Sequence, residues 1–288
     1  SEADQGTLRL MVRLVFLLML GVLHSAPPTL DMLHPSGGKI GTEFSVKAIG
    51  KFPKDDWPPQ IWTNSDAITF TPGDKPGELT CKIAETAQPG PVLLRFHNGE
   101  GASKARIFVV GKTEETLEDP AKDTTVTRLP ILINGVLEKN DDFDLVRLPG
   151  LKKGQQLVAQ MNSYGLLAPN DCLLHLLDAR GFEIATSRTT ANLDPLLIHQ
   201  IPADGDYAIQ IHAFPAKAAS AVNFVGGAAN VYRLHLWLGD APGLPNLPEP
   251  TANEPVELLS RSMRLQGQLS KPGEVDRFSF EAKKGELW

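Results

Sequence analysis

The sequence predicts an all-β protein assembled from small sandwiches, and three observations predict it. Its 288 residues include 25 glycines and 23 prolines, an excess of turn-forming residues over ordinary globular usage. Short runs alternate apolar with small or polar residues, the two-residue period of a half-buried strand. Turn residues divide these runs, and no long helical pattern interrupts them between Pro28 and Gly111. With 42% hydrophobic and 22% charged residues the chain is globular, long enough for about two domains. A net charge of −6 without a basic block offers no electrostatic basis for binding nucleic acid.

The N-terminus reads as an address. Ser1 to Leu10 are polar and lack an initiator Met. Met11, Val12 and Arg13 then precede ten apolar residues, Leu14 to Leu23. Ten residues make ~15 Å of helix, half of a bilayer core. A basic flank, a short apolar core and small residues Ser25-Ala26 predict a secretory signal, so residues 1–26 are upstream residues plus a signal peptide. A buried N-terminal helix and an uncleaved anchor are the alternatives. The expectation is an exported protein, extracellular, surface-bound or periplasmic, with no membrane span beyond that segment.

Residues 27–111 carry strand signals at Phe44–Gly50, Pro91–His97 and Ala105–Val110, with Asn98-Gly99-Glu100-Gly101 as a hairpin turn. Such a stretch predicts an immunoglobulin-like sandwich. Residues 112–124 are acidic, lack apolar periodicity and read as a linker. From 125 to 240 the clearest strands are Leu157–Met161, Cys172–Leu177, Tyr207–Ile211 and Val231–Leu236, which predict a jelly-roll-like sandwich. Residues 241–256 hold Pro242, Pro245, Pro248, Pro250 and Pro255, a semi-rigid extended spacer.

After that spacer the sequence repeats itself. Gly135 is followed by Asp144, and Gly267 by Asp276, at the same interval and an offset of 132. Lys152-Lys153-Gly154 recurs as Lys283-Lys284-Gly285 at an offset of 131. Residues 257–288 therefore read as the start of a second, truncated copy of the 125–240 domain. An isolated strand pair cannot bury a core, so the 288 residues read as a fragment.

Particular residues carry a resemblance. Asn134-Gly135-Val136-Leu137, Asp142-Phe143-Asp144, Lys153-Gly154-Gln155 and the run Leu174 to Gly181 resemble the bacterial pre-peptidase C-terminal domain. Leu193-Asp194-Pro195-Leu196 and Pro202 to Tyr207 complete the set, with a partial second copy at Glu274-Val275-Asp276-Arg277-Phe278. Val146 departs from the pattern, since the second copy and the family usually place an aromatic there, which predicts a thinner core contact. Pro35 to Thr42 is similar to immunoglobulin-like modules preceding such domains in large secreted bacterial proteins. The resemblance implies a non-catalytic module of secreted or surface proteins, often proteases. It implies targeting, matrix or polysaccharide binding, or maturation, and calcium in some members.

Calcium is the sharpest chemical candidate. Asn140, Asp141, Asp142 and Asp144 place four oxygen-bearing side chains within five residues, and calcium takes six to eight hard oxygens. Asp142 and Asp144 are the expected ligands, against a solvated hairpin with turn-forming Asx residues. Asp178, Asp194, Asp204 and Asp206 read as ordinary turn chemistry. No catalytic residue is assigned: no nucleophile or metalloprotease motif occurs, and His175, His212 and His235 lie within strand runs. No other cofactor is expected. Cys81 and Cys172, 91 positions apart, read as buried free thiols. Trp57 and Trp62, with Trp237 further on, are the candidate ligand residues of an aromatic platform, against a core-edge reading.

The functional expectation is a set of non-catalytic binding and spacer modules of a bacterial surface or secreted protein. Their partner would be an extracellular protein or a polysaccharide. The rivals are appendages of a secreted peptidase whose catalytic domain lies outside this stretch, and a carbohydrate-binding module using Trp57 and Trp62.

Overall fold

A computed structural model describes residues 26–52, 57–187, 193–215, 223–239, 256–257 and 271–284. The expected signal segment through Ser25 lies outside the described residues, as does most of the Pro-rich stretch 241–256. The chain divides into one compact unit ending at Gly239 and a second running from Asp240. No helix among the described residues is long and apolar enough to cross a membrane.

The first unit begins with nine strands. They are β1 (Met32–His34), β2 (Gly37–Lys39), β3 (Glu43–Ile49), β4 (Gln60–Thr63), β5 (Ile68–Pro72), β6 (Glu78–Ile83), β7 (Gly90–Asn98), β8 (Gly101–Ala102) and β9 (Arg106–Gly111). One sheet runs β1-β3-β6-β5 and the facing one β2-β9-β7-β4, with β8 paired to the end of β7. Alternation decides which way each side chain goes. In β6, Leu79, Cys81 and Ile83 are buried while Glu78, Thr80 and Lys82 face water. Leu94, Phe96 and Phe108 meet Val46, Ile68 and Phe70 across the gap. Each such buried side chain contributes roughly 1.5–3 kcal/mol over leaving it exposed.

The same unit continues with β10 (Glu115–Leu117), β11 (Thr124–Thr125), β12 (Ile131–Val136), β13 (Asp144–Leu151), β14 (Gln156–Asn162), β15 (Asn170–Leu177), β16 (Glu183–Ser187), β17 (Leu196–Gln200), β18 (Gly205–Pro215) and β19 (Val231–Leu238). They form sheets β10-β12-β19-β14-β17 and β11-β13-β18-β15-β16 around a second core. Val146 is 1% exposed within that core, so valine fills the position without opening it. Segment 112–124, expected to be a linker, instead supplies β10 and β11. They pair parallel with β12 and β13, because Glu115, Thr116 and Leu117 find open backbone groups on Leu132 to Asn134.

The motifs behind the resemblance are tied together. Asp204 Oδ1 accepts the Lys153 amide at 2.8 Å and Asp206 Oδ1 that of Gly150 at 2.9 Å. The Tyr207 hydroxyl donates to Ala203 O at 2.7 Å. These aspartates tie together the two connections that cross between the sheets, β13 to β14 and β17 to β18, rather than closing their own turn. A third cluster, Met32, Leu166, Ala168 and Val231, joins the two cores. Leu166 lies in a 3₁₀ turn, Tyr164–Leu166, held from below by Asp194. The Asp194 carboxylate is 5% exposed and accepts the amides of Ser163, Tyr164 and Gly165 at 2.8, 2.8 and 2.9 Å.

The second unit has one described strand pair, β20 (Val256–Glu257) with β21 (Phe278–Ser279), in parallel register. Val256 sits opposite Phe278, and 132 residues earlier Thr124 sits opposite Val146. These two parallel pairs stand at the offset of 132 read from the sequence.

Candidate metal centre

The site grows from β10 and the chain just beyond it. The Glu118 amide donates to Asn134 O at 3.0 Å, continuing the β10 pairing and aiming its side chain back at β12 and β19. There the Tyr232 hydroxyl donates to Glu118 Oε2 at 2.6 Å and the Val136 amide donates to Oε1. Gly135 permits this approach, since a Cβ there would lie 2.4 Å from Glu118 Oε2 and 2.2 Å from Tyr232 Cζ. The Asn-Gly-Val-Leu motif therefore has a physical cause in the seat of Glu118.

Asp144, at the start of β13, and Glu138, after β12, complete the group. One carboxylate oxygen from each of Glu118, Glu138 and Asp144 lies within 4.8 Å of the others. Asp144 Oδ2 is buried without a hydrogen-bond partner. None of the three carboxylates has an ion pair with a Lys or Arg among the described residues. Glu115, in β10 three residues before Glu118, is different: Arg233 and the Asn134 side-chain amide, the latter at 2.8 Å, both donate to it.

Electrostatics follow from that difference. Burial, then the charge of Asp144, pushes Glu118 up to about 9. Burial pushes Asp144 up to about 6, although the polar groups of Tyr232 and Glu118 beside it favour the charged form. Glu138 is raised as well, by burial and by its contact with Asp142. Three carboxylates this close repel one another unless a proton or a cation lies among them. Calcium is a hard cation that takes carboxylate oxygens, and an oxygen-only set on three separate elements fits it. Bound there, it would supply fixed positive charge linking the β10 segment to the turn and to β13.

Of the two residues expected from sequence, Asp144 enters the cluster. Asp142 lies beside it, where Oδ2 accepts the Glu138 amide at 2.9 Å and closes the turn. Glu118 and Glu138 escaped sequence reasoning. Glu118 stood in an acidic stretch without apolar periodicity, which reads as a linker.

The tryptophans take different environments. Trp57 packs on Phe52 and Phe96, and its indole N–H donates to Gly73 O at 2.8 Å, so it belongs to the edge of the first core. Trp62 is 43% exposed with Arg95 stacked on it. Trp237 lies against His235. His175 contacts Glu183 through Nδ1 at 2.6 Å and stacks on His212. Cys81 and Cys172 are free and buried, and burial pushes both thiols up to about 12.

What the fold defines is a class: an all-β chain of paired sandwiches. No protein-family model matches it, and no curated protein sequence matches it. Solved structures similar to it include the pre-peptidase C-terminal domain of collagenase from Bacillus anthracis, at 14% identity and TM-score 0.30, covering 41% of this chain and 98% of that one. A carbohydrate-binding module of the β-sandwich superfamily is similar at 12% identity and TM-score 0.23, covering 75% and 99%. SGBP-B from a complex xyloglucan utilization locus in Bacteroides uniformis is similar at 11% and TM-score 0.26, covering 75% and 74%. At these values the likenesses carry no argument about ligand or activity.

Proposed function

We propose that residues 26–239 form a non-catalytic binding and spacer unit of an exported protein, held in shape by a calcium ion among Glu118, Glu138 and Asp144. One observation carries the reading: three carboxylates converge from three elements with no Lys or Arg to neutralise them among the described residues. The ion would fasten the β10 segment to the body of the second sandwich. Because the second core meets the first through Met32, Leu166 and Val231, fixing one end supports a rigid spacer. The signal-like segment before Pro27 supports export, and the sequence repeat at 257–288 supports a repeating array over a single appendage. The test is thermal melting of the whole chain in calcium and in chelator. A raised melting temperature in calcium, abolished by Asp144→Asn, is expected. Identical melts would reject the ion.

A further inference from the structure

The outer face of the β2-β9-β7-β4 sheet carries a different constellation. Among the described residues β4 is an edge of that sheet, and β7 lies beside it in antiparallel register. Gln60 sits opposite His97, and Trp62 opposite Arg95. Val92, Leu94 and Phe96 point into the core, so Arg95 and His97 point outward. Ile61 packs on that core as well, which turns Gln60 and Trp62 outward beside them. The four side chains form a two-by-two block, ~5 Å across the strands and ~7 Å along them.

Two features of the block are unsatisfied. Trp62 leaves 43% of its surface in water on an edge strand. The Arg95 guanidinium carbon is 5.6 Å from that ring centroid, and its Nε is buried without a hydrogen-bond partner. No carboxylate pairs with Arg95 among the described residues, in a chain of net charge −6. A ligand with a flat C–H face beside an anionic group suits this pair, by stacking on the indole and by a charge-assisted bond to guanidinium N–H groups other than the buried Nε. A neutral sugar would use Trp62 and leave Arg95 unpaired.

We infer that this face binds an acidic polysaccharide, one hexuronate ring stacked on Trp62 with its carboxylate on Arg95. Gln60 and His97 hydrogen-bond the hydroxyls of the same unit, and the open edge at β4 lets the polymer run on past the sheet. The inference rests on the binding role proposed above and not on the calcium ion. Charge complementarity selects the ligand.

The experiment uses the whole chain and polygalacturonate in buffer containing chelator, so that loss of the cation and loss of the ligand stay distinguishable. Affinity electrophoresis and tryptophan fluorescence are the readouts, with neutral dextran and dextran sulfate as comparisons. The expected result is salt-sensitive binding of polygalacturonate and none of dextran. Trp62→Ala and Arg95→Gln should each weaken it about tenfold or more, with Trp62→Phe staying within about threefold because a ring remains. Melting curves report whether each variant folds. If Trp62→Ala does not, the contrast between Trp62→Phe and Arg95→Gln decides. Absence of binding overturns the inference. So does unchanged binding in Arg95→Gln, or dextran sulfate binding as tightly as polygalacturonate, which would mean charge alone.

Discussion

Asp141 and Gly273, 132 residues apart, take the same left-handed backbone conformation, with φ of 60° and 81°. Each precedes an amide that closes a turn: Asp142 N donates to Lys139 O and Glu274 N to Lys271 O, both at 3.2 Å. Positions 132 apart thus share a turn as well as a strand register. Aspartate tolerates this conformation and glycine adopts it freely, whereas a β-branched residue is strained there. Asp141→Gly should stay within about 0.5 kcal/mol of the parent in urea denaturation, and Asp141→Val should lose about 1–2 kcal/mol. Because Asp141 is outside the carboxylate cluster, Asp141→Gly should leave the calcium response intact.

The carboxylate cluster predicts a pH dependence with a definite sign. Glu118 rises from the ordinary 4.5 to about 9 on folding, and Asp144 from 3.8 to about 6. In each interval the folded protein holds protons that the unfolded chain has released. In chelator, the contribution of Glu118 and Asp144 to stability should therefore be fully present at acid pH and be lost as pH rises from about 4 towards 9. Calcium competes with those protons, so its effect on the melting temperature should grow from pH 5 to pH 8. Melting curves across that range check it, and Glu118→Gln should flatten the chelator profile.

Arg233 and Glu115 test the junction of β10 with β19. Their side chains are 3% and 10% exposed, and Arg233 Nε also donates to Asn134 Oδ1 at 3.1 Å. Burial raises Glu115 and lowers Arg233 despite their attraction, so desolvation outweighs the pair. Arg233→Met should cost about 3–5 kcal/mol in urea denaturation by stranding the Glu115 charge. The double variant Arg233→Met with Glu115→Leu should recover most of that loss.

Asp194 anchors the 3₁₀ turn on which the junction between the cores rests. Asp194→Ala would leave the amides of Ser163, Tyr164 and Gly165 without their acceptor. A loss on the order of 3 kcal/mol is expected by denaturation. Hydrogen exchange at those amides should accelerate more than at Leu94 or Ile209 in the two cores.

Period-two patterning made the strands legible, because Leu79-Cys81-Ile83 and Val92-Leu94-Phe96 announce a buried face directly. The interval from Gly135 to Asp144 made the repeat legible, since it encodes a strand, a turn and the next strand. The site was half legible. Asp144 stood in a visible acidic turn, but Glu118 reaches the cluster only through parallel pairing of β10, which leaves no local pattern. Asp194, Asp204 and Asp206 looked like turn residues because the amides that donate to them lie far away in sequence. Trp57 and Trp62, five apart, looked alike, but Trp57 precedes β4 and packs at the core edge while Trp62 faces outward from that strand.

The most direct measurement is a calorimetric calcium titration of the whole chain at pH 7.5, beside Glu118→Gln and Asp141→Gly. The account predicts saturable binding in the parent and in Asp141→Gly, with release of protons, and its loss in Glu118→Gln. No heat in the parent, or equal binding in Glu118→Gln, would contradict a calcium-fastened sandwich.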